Sequence, residues 1–349
     1  MVRSGGWSIL FLMLTVKLSL GQPLSNIETR VDALLKPYQG NVPGAAVMVI
    51  HKNQIAFLKT YGLADVAGGR PVTAQTNFRL ASVTKQFTAM SIMILKERGK
   101  LDYSTTLTEI FPDFPAYGKK ITIRHLLQHT SGLIDYEDLI PDTATRQVLD
   151  RDVLSMMQAL DSTYFPPGSA FRYSNSGYAV LAQVVERLSG KSFATFLREE
   201  IFSPLRMSNT VAYEKGISEV PERAWGYYLN GDSITFSDQS LTSAVLGDGG
   251  IYSSVADLYH WDQMLYTTKL VSRRTLRTAF TPGLENYGFG WYCDRFQDRR
   301  RLYHTGSTCG FRNALMRLPE ARLTVIILTN RREPDVLGLA EQIAAIFLQ

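Results

Sequence analysis

Cysteine and histidine are scarce in this chain, and neither is placed to hold a cofactor. Two cysteines stand among 349 residues, and the five histidines, His51, His125, His129, His260 and His304, fall on separate segments without metal-ligand spacing. No metal and no cofactor is therefore expected. No G-x-S-x-G occurs, which removes the strand–turn–helix serine site of an α/β-hydrolase. Internal repeats and low-complexity linkers are also absent. The formal charge of +5 falls to +3 without Arg3 and Lys17, too little and too scattered to attract nucleic acid.

Long apolar runs are missing too. The longest, Trp7 to Val16, is broken by Lys17 and falls short of the about 20 residues that span a bilayer. Arg3 precedes it and Ser19-Leu20-Gly21 follows, so it reads as a secretory signal over residues 1–21, cleaved near Gly21/Gln22. The expectation is a secreted or periplasmic protein of residues 22–349 without a stable membrane anchor. No cysteine follows the run to carry a lipid. An exported protein with two cysteines invites a disulfide, but the pattern argues against one. Cys293 belongs to a hairpin turning near Gln297-Asp298 and faces about position 303, so Cys309 lies some six residues beyond, roughly 20 Å away. Two reduced, buried thiols are expected.

What the chain does have is 45% hydrophobic residues and enough length for a large core. Ser25-Asn26-Ile27-Glu28 reads as a capping box opening a first helix to about Lys36. Ala45 to Ile50 and Ile55 to Tyr61 read as a hairpin. Helical patterns follow over residues 122–128, 152–160, 177–188 and 192–202. After Thr235 the pattern returns to strands, Tyr287–Trp291, Leu302–Thr305, Arg312–Leu318 and Leu323–Leu328, with helices over residues 256–267 and 336–347. The fold class is thus α+β: an antiparallel β-sheet built from the N- and C-terminal segments (about 22–80 and 240–349), flanked by helices, with a mostly helical insertion (about 81–239). The basic run Arg299-Arg300-Arg301 is read as a solvated hairpin tip.

Three segments carry chemistry. Ser82 and Lys85 form the single S-x-x-K of the chain and open a helix, apolar nearly all round, that runs to about Arg98 and is capped by Gly99. A spacing of three puts hydroxyl and amine on one helix face, and the positive end of the helix opposes charge on Lys85, biasing it toward a neutral base. Tyr173-Ser174-Asn175 follows two prolines and a glycine and precedes a helix starting near Gly177, so it is a held loop able to aim a phenol and an amide. His304-Thr305-Gly306-Ser307 ends a strand, with glycines that permit close backbone approach and an N–H at Ser307 that can serve an oxyanion together with that of Ser82.

In this order the three segments resemble the serine β-lactamase and penicillin-binding protein superfamily, and most nearly its class C β-lactamase, D-alanyl-D-alanine carboxypeptidase and esterase branch. The stretches Leu126–Leu133, Pro167–Tyr178, Gly249–Leu258 and Tyr287–Trp291 extend the likeness along nearly the whole mature chain. The resemblance implies that Ser82 is acylated, that Lys85 and Tyr173 move its protons, that Asn175, His304, Thr305, Gly306 and Ser307 bind substrate, and that His129 belongs to a structural turn. Which of Lys85 and Tyr173 takes the first proton stays open, because the two titrate together. His304 stands where β-lactamases of this branch usually carry lysine, which tilts the expectation toward a peptidase or esterase. A true β-lactamase and a non-hydrolytic receptor for cell-wall peptides are the alternatives. The implied partner is a small-molecule or peptide substrate, including cell-wall peptide or β-lactam.

Overall fold

The computed structural model describes residues 24–231 and 233–349. The signal segment and its cleavage point lie outside the described residues. Six strands, β1 (Ala45–His51), β2 (Gln54–Tyr61), β3 (Tyr292–Phe296), β4 (Arg299–Thr308), β5 (Phe311–Leu318) and β6 (Leu323–Thr329), form an antiparallel sheet in the order β3-β4-β5-β6-β1-β2. The sheet is therefore made from both ends of the chain, as the alternation of patterns predicts. Its two-residue hairpins turn at Lys52-Asn53 and Gln297-Asp298, all four at positive φ, the geometry that matches the twist of paired strands.

Helices cover both faces of this sheet, which is why β1 and β6 are apolar at nearly every position. Ala46, Met48 and Ile50 of β1 join the larger core with α2 (Lys85–Glu97), whereas Ala45, Val47 and Val49 point the other way. There they meet Val31 and Leu35 near α1 (Leu24–Leu34) and Ile343 of the last helix. The larger core continues into the helical part, with α3 (Asp150–Gln158) and α4 (Asn175–Ser189), and includes α5 (Val255–Met264). The last helix is α6 (Val336–Phe347), at the predicted bounds. Every residue of α2 from Lys85 to Leu95 is buried, and Gly99 follows it at a φ of +70°. Among the described residues no helix is long and apolar enough to cross a membrane.

Several expectations need correction. The first helix is already formed at Leu24, the first described residue, so Ser25 lies within it rather than at its cap, and Pro37 lies inside a short 3₁₀ turn, Lys36–Tyr38. Tyr287–Trp291 is a turn rather than a strand. Gly290 sits there at a φ of +76°, and a Cβ on it would come within 2.7 Å of the Lys85 carbonyl. Arg299-Arg300-Arg301 is not a solvated tip but the start of β4. The Arg301 guanidinium is buried, reaching Asp294 at 2.7 Å and also Glu341. A helix at Arg273–Ala279 and a hairpin of Tyr227–Asn230 with Ser233–Phe236 were not anticipated. Both cysteines are free, and Cys293 pairs with Leu302, one place from the expected register. Cys309 is only partly buried, because it forms the tight turn between β4 and β5 at a φ of +36°.

Candidate active site

Ser82 lies on a single 3₁₀ turn, Ala81–Thr84, that leads into α2, so its turn is tighter than the α-helix expected. Two strands locate that turn. Phe78–Arg79 pairs with Ile251–Ser253, and the Leu80 N–H continues the ladder to the Ile251 carbonyl at 2.8 Å. From the other side β4 closes in. A Cβ on Gly306 would sit 2.0 Å from the Leu80 carbonyl, so the glycine is there to admit the backbone of the serine turn. Gly310 likewise admits the Tyr227 N–H, at 2.0 Å from its would-be Cβ. These close approaches are to the protein's own backbone, where close approach of substrate was expected. Ala81, next to Ser82, is held at a φ of +50°, a conformation that costs a residue with a Cβ about 1 kcal/mol and persists because both neighbours clamp it. Gly306→Ala is expected to slow covalent labelling of Ser82 by at least ~10²-fold, since a displacement of about an ångström at a reacting atom has that cost. The labelling rate of the purified variant checks this.

Lys85 is fully buried and makes three contacts. Its Nζ donates to Ser82 Oγ at 3.2 Å, to Asn175 Oδ1 at 2.8 Å and to the Asp248 carbonyl at 2.9 Å. Asn175 is the first residue of α4, with Ser174 as the cap, so the held loop ends two residues earlier than predicted. Its amide is oriented from the far side by Glu137, whose Oε1 accepts from Asn175 Nδ2 at 3.0 Å. The Tyr173 ring lies 4.9 Å from Lys85 Nζ. Its hydroxyl is buried without a hydrogen bond of good geometry among the described residues, although Ser82 is near enough to favour the phenolate.

His129 forms the floor beneath Tyr173. Its ring stacks on that tyrosine at 4.2 Å, and its Nδ1 accepts the Ser174 N–H at 3.0 Å. The structural role implied for it thus includes fixing the Tyr173–Asn175 loop. His304 is buried as well. Its Nδ1 lies 2.6 Å from the Thr305 carbonyl, which requires a proton on Nδ1, and its Nε2 then accepts from the Tyr287 hydroxyl at 2.9 Å. Ser307 is exposed and lines one small cavity with Ala81, Ser82, Asn175 and Gly249, whereas Thr305 and Gly306 lie deeper along β4.

Burial moves Lys85, Asp248, His304 and Tyr173 toward their neutral forms. It lowers Lys85 to about 8, a fall opposed by the Asp248, Glu137 and Asp135 carboxylates, and it raises Asp248 although Lys85 pulls the other way. His304 is depressed to about 3, by burial first and then by Lys85, and is a neutral imidazole at physiological pH. Tyr173 is pushed up. Proton transfer from Ser82 to an amine that is readily neutral is therefore within reach of this arrangement, with donors nearby for a developing oxyanion.

Sequence reasoning brought together Ser82, Lys85, Tyr173, Asn175 and Ser307, and missed Glu137, Tyr136, Asp248 and Tyr287. An acid set among glycines, Gly247-Asp248-Gly249-Gly250, was the available signal for Asp248. A larger cleft of about 600 Å³ lies between residues 145–151 and 213–217 but contains none of the reactive groups, so chemistry rather than size identifies the site.

The fold is β-lactamase/transpeptidase-like, and it gathers Ser82, Lys85, Tyr173 and Asn175 into one cluster. The Beta-lactamase family profile matches residues 26–347, and the chain belongs to that family, within the serine β-lactamase and penicillin-binding protein superfamily. Among curated relatives it is similar to Penicillin-binding protein 4* of Bacillus subtilis, 33% identical across 88% of this chain and 72% of that protein. It is also 24% identical to Protein flp of Staphylococcus aureus, spanning 90% of this chain but 65% of that protein's length. An octameric penicillin-binding protein homologue from Pyrococcus abyssi superposes with a TM-score of 0.83 at 24% identity, over 94% of this chain and 78% of its own. The D-amino acid amidase of Ochrobactrum anthropi SV3 does so at 0.78 and 21%, over 93% and 99%.

Proposed function

We propose that this protein is a serine hydrolase that forms an acyl-enzyme on Ser82 from a carboxylic ester or an amide, including D-amino-acid peptides. The observation that carries the reading is the convergence on one buried amine: Ser82, Asn175 and the Asp248 carbonyl all meet Lys85 Nζ within 3.2 Å. Lys85 in its neutral form takes the Ser82 proton as Oγ attacks the carbonyl carbon, and the backbone N–H groups of Ser82 and Ser307 receive the oxyanion. Tyr173 passes a proton to the leaving group and later from the deacylating water. Lys85 rather than Tyr173 is the first base because burial favours a neutral amine and opposes a phenolate. The work of related proteins fits this breadth: one fold-level neighbour is a D-amino acid amidase, and another, EstCE1, is a hydrolase with promiscuous acyltransferase activity.

The cleft favours neutral substrates over carboxylates. His304 is uncharged, Lys85 is committed to three acceptors, and the Arg79 guanidinium is buried and donates to the Ser243 carbonyl at 2.6 Å, so the cations beside the cleft are turned toward the protein rather than toward a substrate carboxylate. A true β-lactamase, a carboxypeptidase and a non-hydrolysing receptor for cell-wall peptides are therefore secondary readings. Turnover of a p-nitrophenyl ester, a D-alanyl anilide and a penicillin, compared at equal enzyme concentration, tests the ordering, and β-lactam turnover above both others would reverse it. His304→Lys is expected to raise kcat/KM for carboxylate-bearing over neutral esters by about tenfold, and an unchanged ratio would mean that position 304 does not reach the substrate. The N-terminal sequence supports export before the enzyme acts, with small-molecule or peptide substrates and no nucleic-acid partner.

A further inference from the structure

The short helix Leu246–Gly249 is fixed at its start by a buried acid: Asp150 accepts the N–H groups of Leu246 and Gly247 at 2.8 and 2.9 Å. That places the backbone of Asp248 against Lys85 and its side chain against Tyr136. Its carbonyl accepts from Nζ, and its carboxylate, on a residue only 7% exposed, receives the Tyr136 hydroxyl at 3.0 Å. Among the described residues no cation lies within ion-pair distance of that carboxylate. A buried, unpaired carboxylate beside a buried amine acts on it through little screening.

The other groups around Lys85 do not supply the same field. Glu137 and Asp135 also favour its charge from the loop above, but each acts on it less than Asp248 does, and Glu137 is open to solvent along part of its side chain although burial raises its carboxyl. His304 on β4 and His129 are both neutral. The Tyr173 and Tyr178 rings present their faces at 4.9 and 5.5 Å, and both phenols stay protonated because burial raises them. Arg79 acts on the Asp248 carboxylate and favours its ionised form.

We propose that Asp248 is a positioning residue that sets the charge of the active-site base: its buried carboxylate, held by Tyr136, keeps a proton on Lys85, while its own carbonyl fixes where that amine points. The inference rests on the Ser82–Lys85 reading above. One peptide unit thus determines both the place and the protonation of Lys85. Substituting Asp248 by Asn retains the carbonyl and the side-chain shape and removes the charge, so Lys85 loses its proton more readily. The Tyr136 hydroxyl favours the ionised carboxylate, so its removal weakens the same effect.

The test is the rate of Ser82 labelling by a fluorophosphonate between pH 6 and 10 in the wild type, Asp248→Asn, Tyr136→Phe and the double variant. Labelling needs neutral Lys85, so the wild-type rate rises with pH through the lysine titration. The midpoint is expected to fall by about one pH unit in Asp248→Asn and by less in Tyr136→Phe. The double variant should match Asp248→Asn, because Tyr136 acts through that carboxylate. Coincident midpoints in the wild type and Asp248→Asn, or fully additive shifts, overturn the proposal. If Asp248→Asn does not fold, Tyr136→Phe carries the test alone, and an unshifted midpoint there overturns it. Labelling that survives in Ser82→Ala would instead defeat the nucleophile reading, which keeps the two failures apart.

Discussion

Replacing Ser82 by alanine is expected to lower ester or amide hydrolysis by at least ~10³-fold and to abolish covalent labelling. The fold should survive, because Ser82 is only partly buried and its hydroxyl meets only the side chains of the site itself, Lys85 at 3.2 Å and Tyr173. Melting of the variant should therefore stay within about 2 °C of the wild type, as for most substitutions away from a packed core. KM should change far less than kcat, since Asn175, Ser307 and the walls of the cleft still bind substrate. Steady-state kinetics on the ester, with a thermal melt beside it, separate loss of the nucleophile from loss of the protein.

The largest effect on stability is expected far from that serine, at Arg317→Met. Arg317 and Asp262 are each 1% exposed in their side chains and meet at 2.7 Å, with Thr324 donating to the same carboxylate oxygen at 2.8 Å. This joins α5 to β5 and β6 in the middle of the core. Both ions have left water, so their mutual attraction offsets a desolvation cost of several kcal/mol. Removing the guanidinium alone leaves Asp262 buried with two neutral donors, the Thr324 hydroxyl and the Gln263 amide, and no counter-charge, and about 3–5 kcal/mol of stability should be lost. On a domain of this size that corresponds to a fall in Tm on the order of 5–10 °C. Arg317→Met combined with Asp262→Leu should recover most of it, because well-packed apolar groups can replace a buried pair at little cost. A double variant as unstable as the single one would show that packing at Arg317, rather than its charge, matters.

The parts of the fold that were legible are those where one physical signal dominates. α2 is buried all round and its sequence is apolar all round. β1 and β6 are covered on both faces and read as unbroken apolar runs. The α6 bounds follow from an amphipathic pattern alone. What escaped depends on contacts distant in sequence. Tyr287–Trp291 has the composition of a strand, but Gly290 must pass the Lys85 backbone, and no local pattern contains that approach. The charge of Arg299–Arg301 suggested a solvated tip, whereas Arg301 is paired through Asp294 and Glu341. In the site, Ser82, Lys85, Tyr173 and Asn175 were picked out by their spacing, and the carboxylates that the fold brings beside them were not. Glu137 and Asp248 come from two separate segments, and only the fold brings them to Asn175 and Lys85.

His304 shows the same limit. The sequence placed it beside Ser307 and left its protonation to the surroundings. The structure supplies those surroundings: burial, a carbonyl on Nδ1 and a phenol on Nε2, which together give a neutral ring. The absence of lysine at this position was visible in the sequence, but the burial that keeps the imidazole neutral was not.

The central claim is an acyl-enzyme on Ser82, and intact-mass spectrometry after incubation with an activated ester and separately with a penicillin addresses it most directly. One acyl adduct per chain is expected, mapped by peptide digestion to the segment containing Ser82, with the ester adduct decaying as hydrolysis proceeds. An adduct on any other residue, or ester turnover that persists in Ser82→Ala, would contradict it.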